Sequence, residues 1–239
     1  MGWTTYFHPL RKLNREKEIF LASSKMPPII EKNITWDYPH LDDEAKRQEF
    51  IVLDLETTGL DVEKDRVLSI GWVSIKNFQI DLSTAKELMI NNDTDVRPET
   101  VVINHITPEM LQEGVSLDDA FSLFFAQSQG KVIVAHACCV EKSFIDRYAR
   151  EHFDLPPLPL LWIDTLGIEK YLSRAIDHNQ DADLRLSSIR ARYGLPEYNA
   201  HGALIDSIST AELLLAQIKR VYRDTKSCFG HLYRISHTK

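Results

Sequence analysis

The sequence lacks the features of a membrane protein or a secreted protein. No apolar run approaches the ~20 residues that a membrane-spanning helix requires. The first residues do not show the basic and then apolar layout of a signal peptide. Cysteine is scarce, because Cys138, Cys139 and Cys228 are too few for a disulfide framework and do not have the spacing of a zinc site. We therefore expect a cytoplasmic protein that has no contact with a membrane.

Basic residues are fewer than acidic residues. The chain has 28 Lys and Arg against 35 Asp and Glu, which gives a formal net charge of −7 at pH 7. Because non-specific affinity for nucleic acid comes largely from Lys and Arg, this balance argues against broad binding to phosphate backbones. Local, metal-assisted binding of a nucleic acid is compatible with it.

The length of 239 residues allows one substantial domain with extensions. Residues 1–49 mix aromatic, basic and proline residues, and they predict a partly helical N-terminal extension with a helix over about 10–22. Residues 50–217 carry the regular patterns of one core. Residues 218–239 are rich in Lys and Arg and predict a basic helix end and tail.

Strand-like segments open the core, and turn residues separate them. The segments cover residues 50–55, 67–75, 78–82 and 87–90. They predict an antiparallel meander of three strands. Strand patterns near 132–135 and 161–163 then alternate with helix patterns near 116–127, 141–153, 166–175, 186–193 and 203–222. This order predicts an α/β domain with a mixed sheet.

Two acids, Asp54 and Glu56, follow the first buried strand. Alternate side chains of a strand point the same way, so the two carboxylates share one face. Like charges held side by side cost free energy unless a cation lies between them, which predicts a divalent metal site. The alternative is a structural pair of acids that bind backbone N–H groups or a basic neighbour.

A histidine and two further acids lie later in the core. His201 precedes a helix pattern, and Asp206 falls in the first turns of that helix, so the two side chains can converge on one point. The strand over 132–135 leads to His136 and then to Glu141. Taken alone, each acid also fits a helix N-terminus, where negative charge is favoured.

Together these residues resemble the histidine branch, DEDDh, of the DEDD superfamily of 3′-5′ exonucleases. The residues that carry the resemblance are Asp54-x-Glu56-Thr57-Thr58-Gly59-Leu60, His201 and Asp206, with Ile106-Thr107-Pro108-Glu109-Met110 and Trp162-Ile163-Asp164-Thr165-Leu166 as further similarities. The branch includes the epsilon subunit of bacterial DNA polymerase III, RNase T and oligoribonuclease. The resemblance implies a ribonuclease H-like fold, in which a mixed five-stranded sheet is flanked by helices.

The middle motif departs from the family. Its usual form is His-Asn-Ala-x-Phe-Asp, whereas this chain has His136-Ala137-Cys138-Cys139-Val140-Glu141. Glu141 keeps the charge of the usual aspartate and reaches one methylene further, which favours an outer or shifted contact. Ala137 and Val140 alter the wall of the nucleotide pocket.

The resemblance implies a site for two divalent ions, Mg²⁺ or Mn²⁺, which suit oxygen ligands. The residues that would hold the ions are Asp54, Glu56, Asp206 and Glu141. His201 would act as the general base, because histidine titrates near neutral pH.

Contacts to the nucleic acid follow from the same resemblance. Thr57, Thr58 and Leu60 would shape the pocket of the terminal nucleotide. His105 either contacts the strand or is a surface residue without a role. In the C-terminal segment, basic residues alternate with Tyr222, Phe229 and Tyr233. This segment either binds a single strand by stacking and phosphate contacts or is an ordinary solvated helix end.

The implied activity is metal-dependent hydrolysis of phosphodiester bonds at the 3′ ends of single-stranded DNA, in proofreading or repair. The products would be nucleoside 5′-monophosphates. The expected protein partner is a DNA polymerase or another replication or repair protein. Two alternatives stay open: a 3′-5′ exoribonuclease of the RNase T or oligoribonuclease type, and an exonuclease-fold binding or adaptor protein whose catalysis is weakened by Glu141.

Overall fold

The computed structural model describes residues 8–91, 106–177, 181–198, 202–223 and 225–239. Two of the predicted site residues, His105 and His201, lie outside these ranges. Within them, none of the helices combines the length and the apolar character that crossing a membrane requires.

One mixed sheet forms the centre of the protein. Its strands are β1 (Phe50–Thr57), β2 (Val67–Lys76), β3 (Gln79–Met89), β4 (Val132–Ala135) and β5 (Trp162–Asp164), in the order β3-β2-β1-β4-β5. The first three strands pair antiparallel, and β4 and β5 run parallel to β1. The predicted α/β fold with a ribonuclease H-like, five-stranded mixed sheet is confirmed.

β3 is one strand of 11 residues, where the sequence pattern predicts two short segments over 78–82 and 87–90. The polar stretch between those segments belongs to an edge strand, and edge strands commonly carry polar and charged side chains. The pairing with β2 shifts register between Trp72 and Ser74. Near that shift the Thr84 hydroxyl accepts a hydrogen bond of 2.8 Å from the Ser74 amide. A side chain therefore bridges the irregularity, and the strand continues past it.

Helices surround the sheet. In the described ranges they are α1 (Pro9–Ser23), α2 (Pro28–Thr35), α3 (Pro108–Gln112), α4 (Leu117–Ser128), α5 (Cys139–Phe153), α6 (Thr165–Tyr171), α7 (Leu186–Arg192), α8 (Ala203–Tyr222) and α9 (Phe229–Ser236). A π-helical segment, Leu172–Ile176, continues α6. Thr107 and Ser116 cap α3 and α4, since their hydroxyls accept hydrogen bonds from backbone amides of the first turn.

The two faces of the sheet pack against different helices. Leu53 and Leu55 of β1 belong to an apolar cluster with residues of α4 and α5. Phe50 and Val52 point to the opposite face and share a second cluster with α8 and α9. Because the side chains of a strand alternate, Asp54 is in phase with Phe50 and Val52 and lies on the face that α8 covers.

Both terminal segments pack against this core. In α2, the Asn33 side-chain amide donates a hydrogen bond of 3.1 Å to the carbonyl oxygen of Phe125 in α4. At the start of α1, His8 Nε2 lies 2.8 Å from the carbonyl oxygen of Gly230 in α9. The N-terminal and C-terminal helices therefore contact each other as well as the central domain.

Candidate active site

Asp54 and Glu56 lie at the end of β1, on the face that α8 covers. Leu53 and Leu55, which point the other way, are buried. The pairing of β1 with β2 shifts register directly after Glu56. Such bulges often redirect side chains beside active sites. The strand therefore ends with two carboxylates on one side and the apolar core on the other.

Helix α8 brings Asp206 to these two acids. Gly71 of β2 lies opposite Asp54, and a Cβ atom at Gly71 would come within 2.2 Å of the Leu204 backbone nitrogen. The missing side chain thus lets the first turn of α8 rest directly on the strand. Carboxylate oxygens of Asp54, Glu56 and Asp206 lie within 4.8 Å of one another.

Glu141 approaches the same acids from α5, the helix that follows β4. It lies in the first turn of that helix and is 4% exposed. Its charge is among the causes that raise the pKa of Asp54, so the two carboxylates are close enough to interact. Its Oε2 atom is buried and has no hydrogen-bond partner among the described residues. Buried carboxylate oxygens nearly always have a hydrogen-bond partner or a bound ion, so this oxygen indicates a place where an ion or a water molecule binds.

Burial and mutual repulsion raise the pKa values of these acids. Burial, followed by the charges of Asp206 and Glu87, raises the pKa of Glu56 to about 7. Burial also raises the pKa of Glu141 to about 8. Burial and then four neighbouring carboxylates raise the pKa of Asp54 well above its ordinary value. In the absence of a cation, the group therefore retains protons near neutral pH.

A turn in the left-handed region joins β4 to α5. Ala137 has a φ of 61°, which alanine adopts less readily than glycine or asparagine. The Ala137 amide donates a hydrogen bond of 2.9 Å to Asp164 Oδ1, and the Leu166 amide at the start of α6 donates to the same atom. Asp164 therefore ties the ends of β4 and β5 together beside Glu141.

His136, at the end of β4, has two partners that account for both ring nitrogens. Nδ1 lies 2.9 Å from the Thr165 hydroxyl, and Nε2 lies 3.0 Å from the carbonyl oxygen of Leu184. Burial lowers the pKa of this imidazole. We conclude that His136 is a structural residue that fixes the segment before α7.

The loop after β1 holds the residues predicted to contact the terminal nucleotide. Thr57 ends the strand, and the Thr58 hydroxyl donates a hydrogen bond of 2.9 Å to Asp65 Oδ1. Leu60 lies at the outer part of this loop and is 79% exposed. The roles of Thr57, Thr58 and Leu60 stay predictions, as does the role of His105.

The aromatic rings of the basic C-terminal segment are not available to bases. Tyr222, Phe229 and Tyr233 are buried, and the latter two lie in α9. The hypothesis that these rings stack on a single strand is therefore wrong, because stacking requires an exposed ring face.

An exonuclease family model, RNase_T, matches residues 51–214, which is more than half of the chain. The chain belongs to the RNase_T exonuclease family. The predicted resemblance to an exonuclease family is confirmed, and the assignment to the histidine branch stays a prediction that rests on His201 and its spacing from Asp206.

Relatives of this chain include replication proteins. A PolC-type DNA polymerase III of Thermotoga petrophila is 28% identical over 214 residues, which cover 88% of this chain and 15% of the polymerase. The DNA polymerase III subunit epsilon of Treponema pallidum is 28% identical over 184 residues, which cover 76% of this chain and 82% of the subunit. The chain thus spans a small part of the polymerase and most of the length of the epsilon subunit.

The fold of this chain is also found in the nuclease domain of 3′hExo, which is described as a DEDDh family member and was solved bound to rAMP. The two structures have a TM-score of 0.63 and 10% sequence identity, and the match covers 74% of this chain and 95% of that domain. At this identity the likeness concerns the fold alone.

The acids of the candidate site fit the divalent metal ions that this family uses. The grouped donors, in the part of the chain that the structure describes, are carboxylate oxygens, which hard cations such as Mg²⁺ and Mn²⁺ prefer. A cation would also relieve the repulsion between Asp54 and Glu56 and supply a partner for the Glu141 oxygen. The residues present are therefore compatible with the metal.

A further acid, Glu87, lies near this site, and no local sequence pattern indicated it. Glu87 lies on β3, where the register places it opposite Gly71. Its Oε1 atom accepts a hydrogen bond of 3.2 Å from the Leu204 amide. The alternation of side chains along β3 predicts on which face of the sheet Glu87 lies. It does not predict which residues lie next to Glu87, because these depend on the register of three strands.

Proposed function

We propose that this protein is a divalent-metal-dependent 3′-5′ exonuclease that acts on the 3′ ends of single-stranded DNA and releases nucleoside 5′-monophosphates. The observation that supports this most strongly is the group of carboxylates of Asp54, Glu56 and Asp206 within 4.8 Å of one another. The unpartnered Oε2 atom of Glu141 adds to it. Such a group is costly to bury unless it binds cations.

The substrate part of the proposal rests on two grounds. The relatives named above are a DNA polymerase and a DNA polymerase subunit, which supports DNA as the substrate and a replication or repair protein as the partner. A terminal nucleotide must also separate from any paired base before it can reach partly buried carboxylates, which favours single-stranded ends.

The carboxylates have distinct proposed roles. Asp54, Glu56 and Asp206 would hold Mg²⁺ or Mn²⁺, and Glu141 would support them from an outer position. Two bound ions would neutralise the charge that develops on the phosphoryl group and would favour ionisation of the attacking water. The carboxylates would hold these ions from β1, α5 and α8. The apolar clusters fix the positions of these three elements.

We assign the role of general base to His201. It directly precedes Gly202, the N-cap residue of α8, and stands five residues before Asp206. An imidazole exchanges its proton near neutral pH, so His201 can take the proton from the attacking water. Thr57, Thr58 and Leu60 would bind the terminal nucleotide, and His105 would contact the strand.

The direct test uses a single-stranded DNA oligonucleotide labelled at its 5′ end, with Mg²⁺. The wild-type protein should produce a ladder that shortens from the 3′ end. Asp54→Ala should abolish it, and His201→Ala should slow it about 10²- to 10⁴-fold, the typical contribution of a general base. Asp81→Ala, which removes an exposed acid at the far end of β3, is the matched control. Unchanged activity in both site variants would refute the proposal.

RNA is the second candidate substrate. The 3′hExo nuclease domain, which shares the fold, was solved bound to the ribonucleotide rAMP. A matched RNA oligonucleotide in the same assay separates RNA from DNA as the substrate, and faster shortening of the RNA would identify an exoribonuclease.

Titration calorimetry with Mn²⁺ and Mg²⁺ tests the adaptor alternative, in which the protein binds a partner without catalysis. Binding of neither ion would favour the adaptor.

A further inference from the structure

Helix α8 starts without a side-chain cap of its own. Its N-cap residue is Gly202, which has no side chain to accept hydrogen bonds from the first-turn amides. The Leu204 amide instead donates to Glu87 Oε1 at 3.2 Å. A residue of the edge strand, more than 100 positions earlier in the chain, therefore supplies the acceptor.

The sheet register fixes where this acceptor stands. Asp54, Gly71 and Glu87 lie opposite one another on three successive strands, so their Cβ positions are on the same face. Neighbouring strands are about 4.8 Å apart, which puts the Glu87 backbone about 10 Å from that of Asp54. The start of α8 rests on Gly71, between the two acids.

The residues that Glu87 contacts lie between two parts of the active site. Gly202 and Leu204 follow His201 and precede Asp206 in the chain. The Cβ position of Gly202 is 3.9 Å from Glu87 Oε1, and the Asp206 amide donates to the Gly202 carbonyl oxygen at 2.9 Å. Holding the Leu204 amide therefore fixes the direction in which α8 leaves the site.

We propose that Glu87 is a positioning residue of the exonuclease site, which holds the first turn of α8 so that Asp206 keeps its place relative to Asp54. This inference rests on the proposed function. It assigns Glu87 a hydrogen-bonding role toward α8, in contrast to a purely electrostatic role toward a metal ion. Residues that orient metal ligands commonly affect metal affinity or activity about 10- to 100-fold when they are replaced.

Two conservative substitutions separate these roles. Glu87→Gln keeps the acceptor oxygen at the same reach and removes the charge. Glu87→Asp keeps the charge and shortens the side chain by one methylene, so it loses the Leu204 contact. Leu82→Ala, at an exposed position of the same strand, controls for damage to β3. Single-turnover shortening of labelled single-stranded DNA gives the rates, and amide hydrogen exchange at Leu204 reports the contact without activity.

The inference predicts that Glu87→Gln stays within about threefold of wild type, whereas Glu87→Asp loses about 10- to 100-fold in kcat. KM for the oligonucleotide should change little, and the Leu204 amide should exchange faster in Glu87→Asp alone. The reverse order, with an active Asp variant and an inactive Gln variant, would overturn the inference, as would wild-type rates in both. An inactive wild type would instead refute the proposed function, while the exchange data would still test the contact.

Discussion

The Ser207 hydroxyl donates a hydrogen bond of 2.7 Å to the backbone carbonyl oxygen of Gly71, and this bond holds α8 against the strand next to Asp54. Ser207 is buried, and it follows Asp206 directly. The close approach depends on a glycine at position 71, since any Cβ atom would overlap the backbone of α8. The acidic site is thus built on a backbone contact between a helix and a sheet.

Gly71→Ala should displace the start of α8 and separate Asp206 from Asp54 and Glu56. The new Cβ would lie 2.2 Å from backbone atoms, which cannot move as a flexible side chain can. We expect a loss of roughly 10²-fold or more in exonuclease activity per folded molecule, because misplacement by about 1 Å has effects of this size. Activity and thermal unfolding should be measured on the same samples.

Gly167→Ala is the matched control for this experiment. An added Cβ atom would lie 2.0 Å from the Ser236 carbonyl oxygen, at the contact between α6 and α9, and its nearest atoms do not belong to α8. The substitution should lower the melting temperature and leave the activity of the folded fraction intact. Equal loss of activity in both variants would show that the contact of α8 with Gly71 has no special role.

The contribution of Glu56 and Glu141 to the stability of the metal-free protein should fall as the pH rises from about 5 to 8, whereas buried histidines such as His136, whose pKa is lowered, contribute with the opposite sign. Burial raises the pKa of Glu56 to about 7 and that of Glu141 to about 8. An acid with a raised pKa stabilises the folded state fully below its unfolded pKa, and this contribution is lost as the pH rises through the folded pKa. Adding Mg²⁺ or Mn²⁺ should restore stability most strongly near pH 8, where the ligands are ionised.

Differential scanning fluorimetry with a chelator and with added metal, over this pH range, tests the prediction. The double variant Glu56→Gln, Glu141→Gln should gain melting temperature relative to the metal-free wild type as the pH rises from 5 to 8, and its shift on adding metal should be smaller. A difference between variant and wild type that does not change with pH would contradict the assignment of these two acids as buried and repelling.

Ala137→Asn should stabilise the protein. Ala137 occupies the left-handed region with a φ of 61°, and asparagine adopts that region at lower cost than alanine. We expect a gain of about 0.5–1 kcal/mol, which corresponds to roughly 1–4 °C in melting temperature for a chain of this size. Ala22→Asn, at an exposed position in α1, is the control and should be neutral or slightly destabilising. An unchanged or lower melting temperature in Ala137→Asn would count against the turn geometry.

Arg147→Met should weaken substrate binding. The Arg147 guanidinium donates to the carbonyl oxygens of Val62 and Asp65, at 2.5 and 2.9 Å, and so braces the loop that carries Leu60 against α5. Loosening this loop should cost about 1 kcal/mol of ordering free energy, which is roughly a fivefold rise in KM with little change in kcat. Steady-state kinetics on single-stranded DNA gives both constants.

Arg150→Met provides the comparison for that variant. Arg150 also reaches the loop, through Glu63, but both side chains are more than half exposed, and exposed ion pairs contribute little. Its KM should stay at the wild-type value. A fall in kcat with unchanged KM in Arg147→Met would show that the arginine serves the chemistry and not the loop.

The main acids of the site could be predicted because each lies next to a clear local pattern. Asp54 and Glu56 follow a continuous apolar strand, and Asp206 opens an amphipathic helix, so sequence spacing alone places them at element ends. Their mutual approach was predictable through the family resemblance, since no local pattern specifies which ends of strands and helices meet.

Glu87 and Gly71 could not be predicted in the same way. Their importance follows from the register of three strands and from a helix-to-sheet contact, both of which are set by tertiary packing. The prediction that aromatic residues of the C-terminal segment stack on a nucleic acid strand was wrong for a related reason. Composition cannot distinguish an exposed ring from one such as Phe229, which is buried in the core.

We propose that the acids around Asp54 form a divalent-metal site that hydrolyses nucleic acid from the 3′ end. This activity is tested by measuring the release of nucleoside 5′-monophosphates from single-stranded DNA, first with a chelator and then with increasing Mg²⁺. We predict no release with the chelator, saturable release with Mg²⁺, and mononucleotides as the sole early product. Release in the presence of the chelator would refute the metal dependence, and early products longer than one nucleotide would refute exonuclease activity.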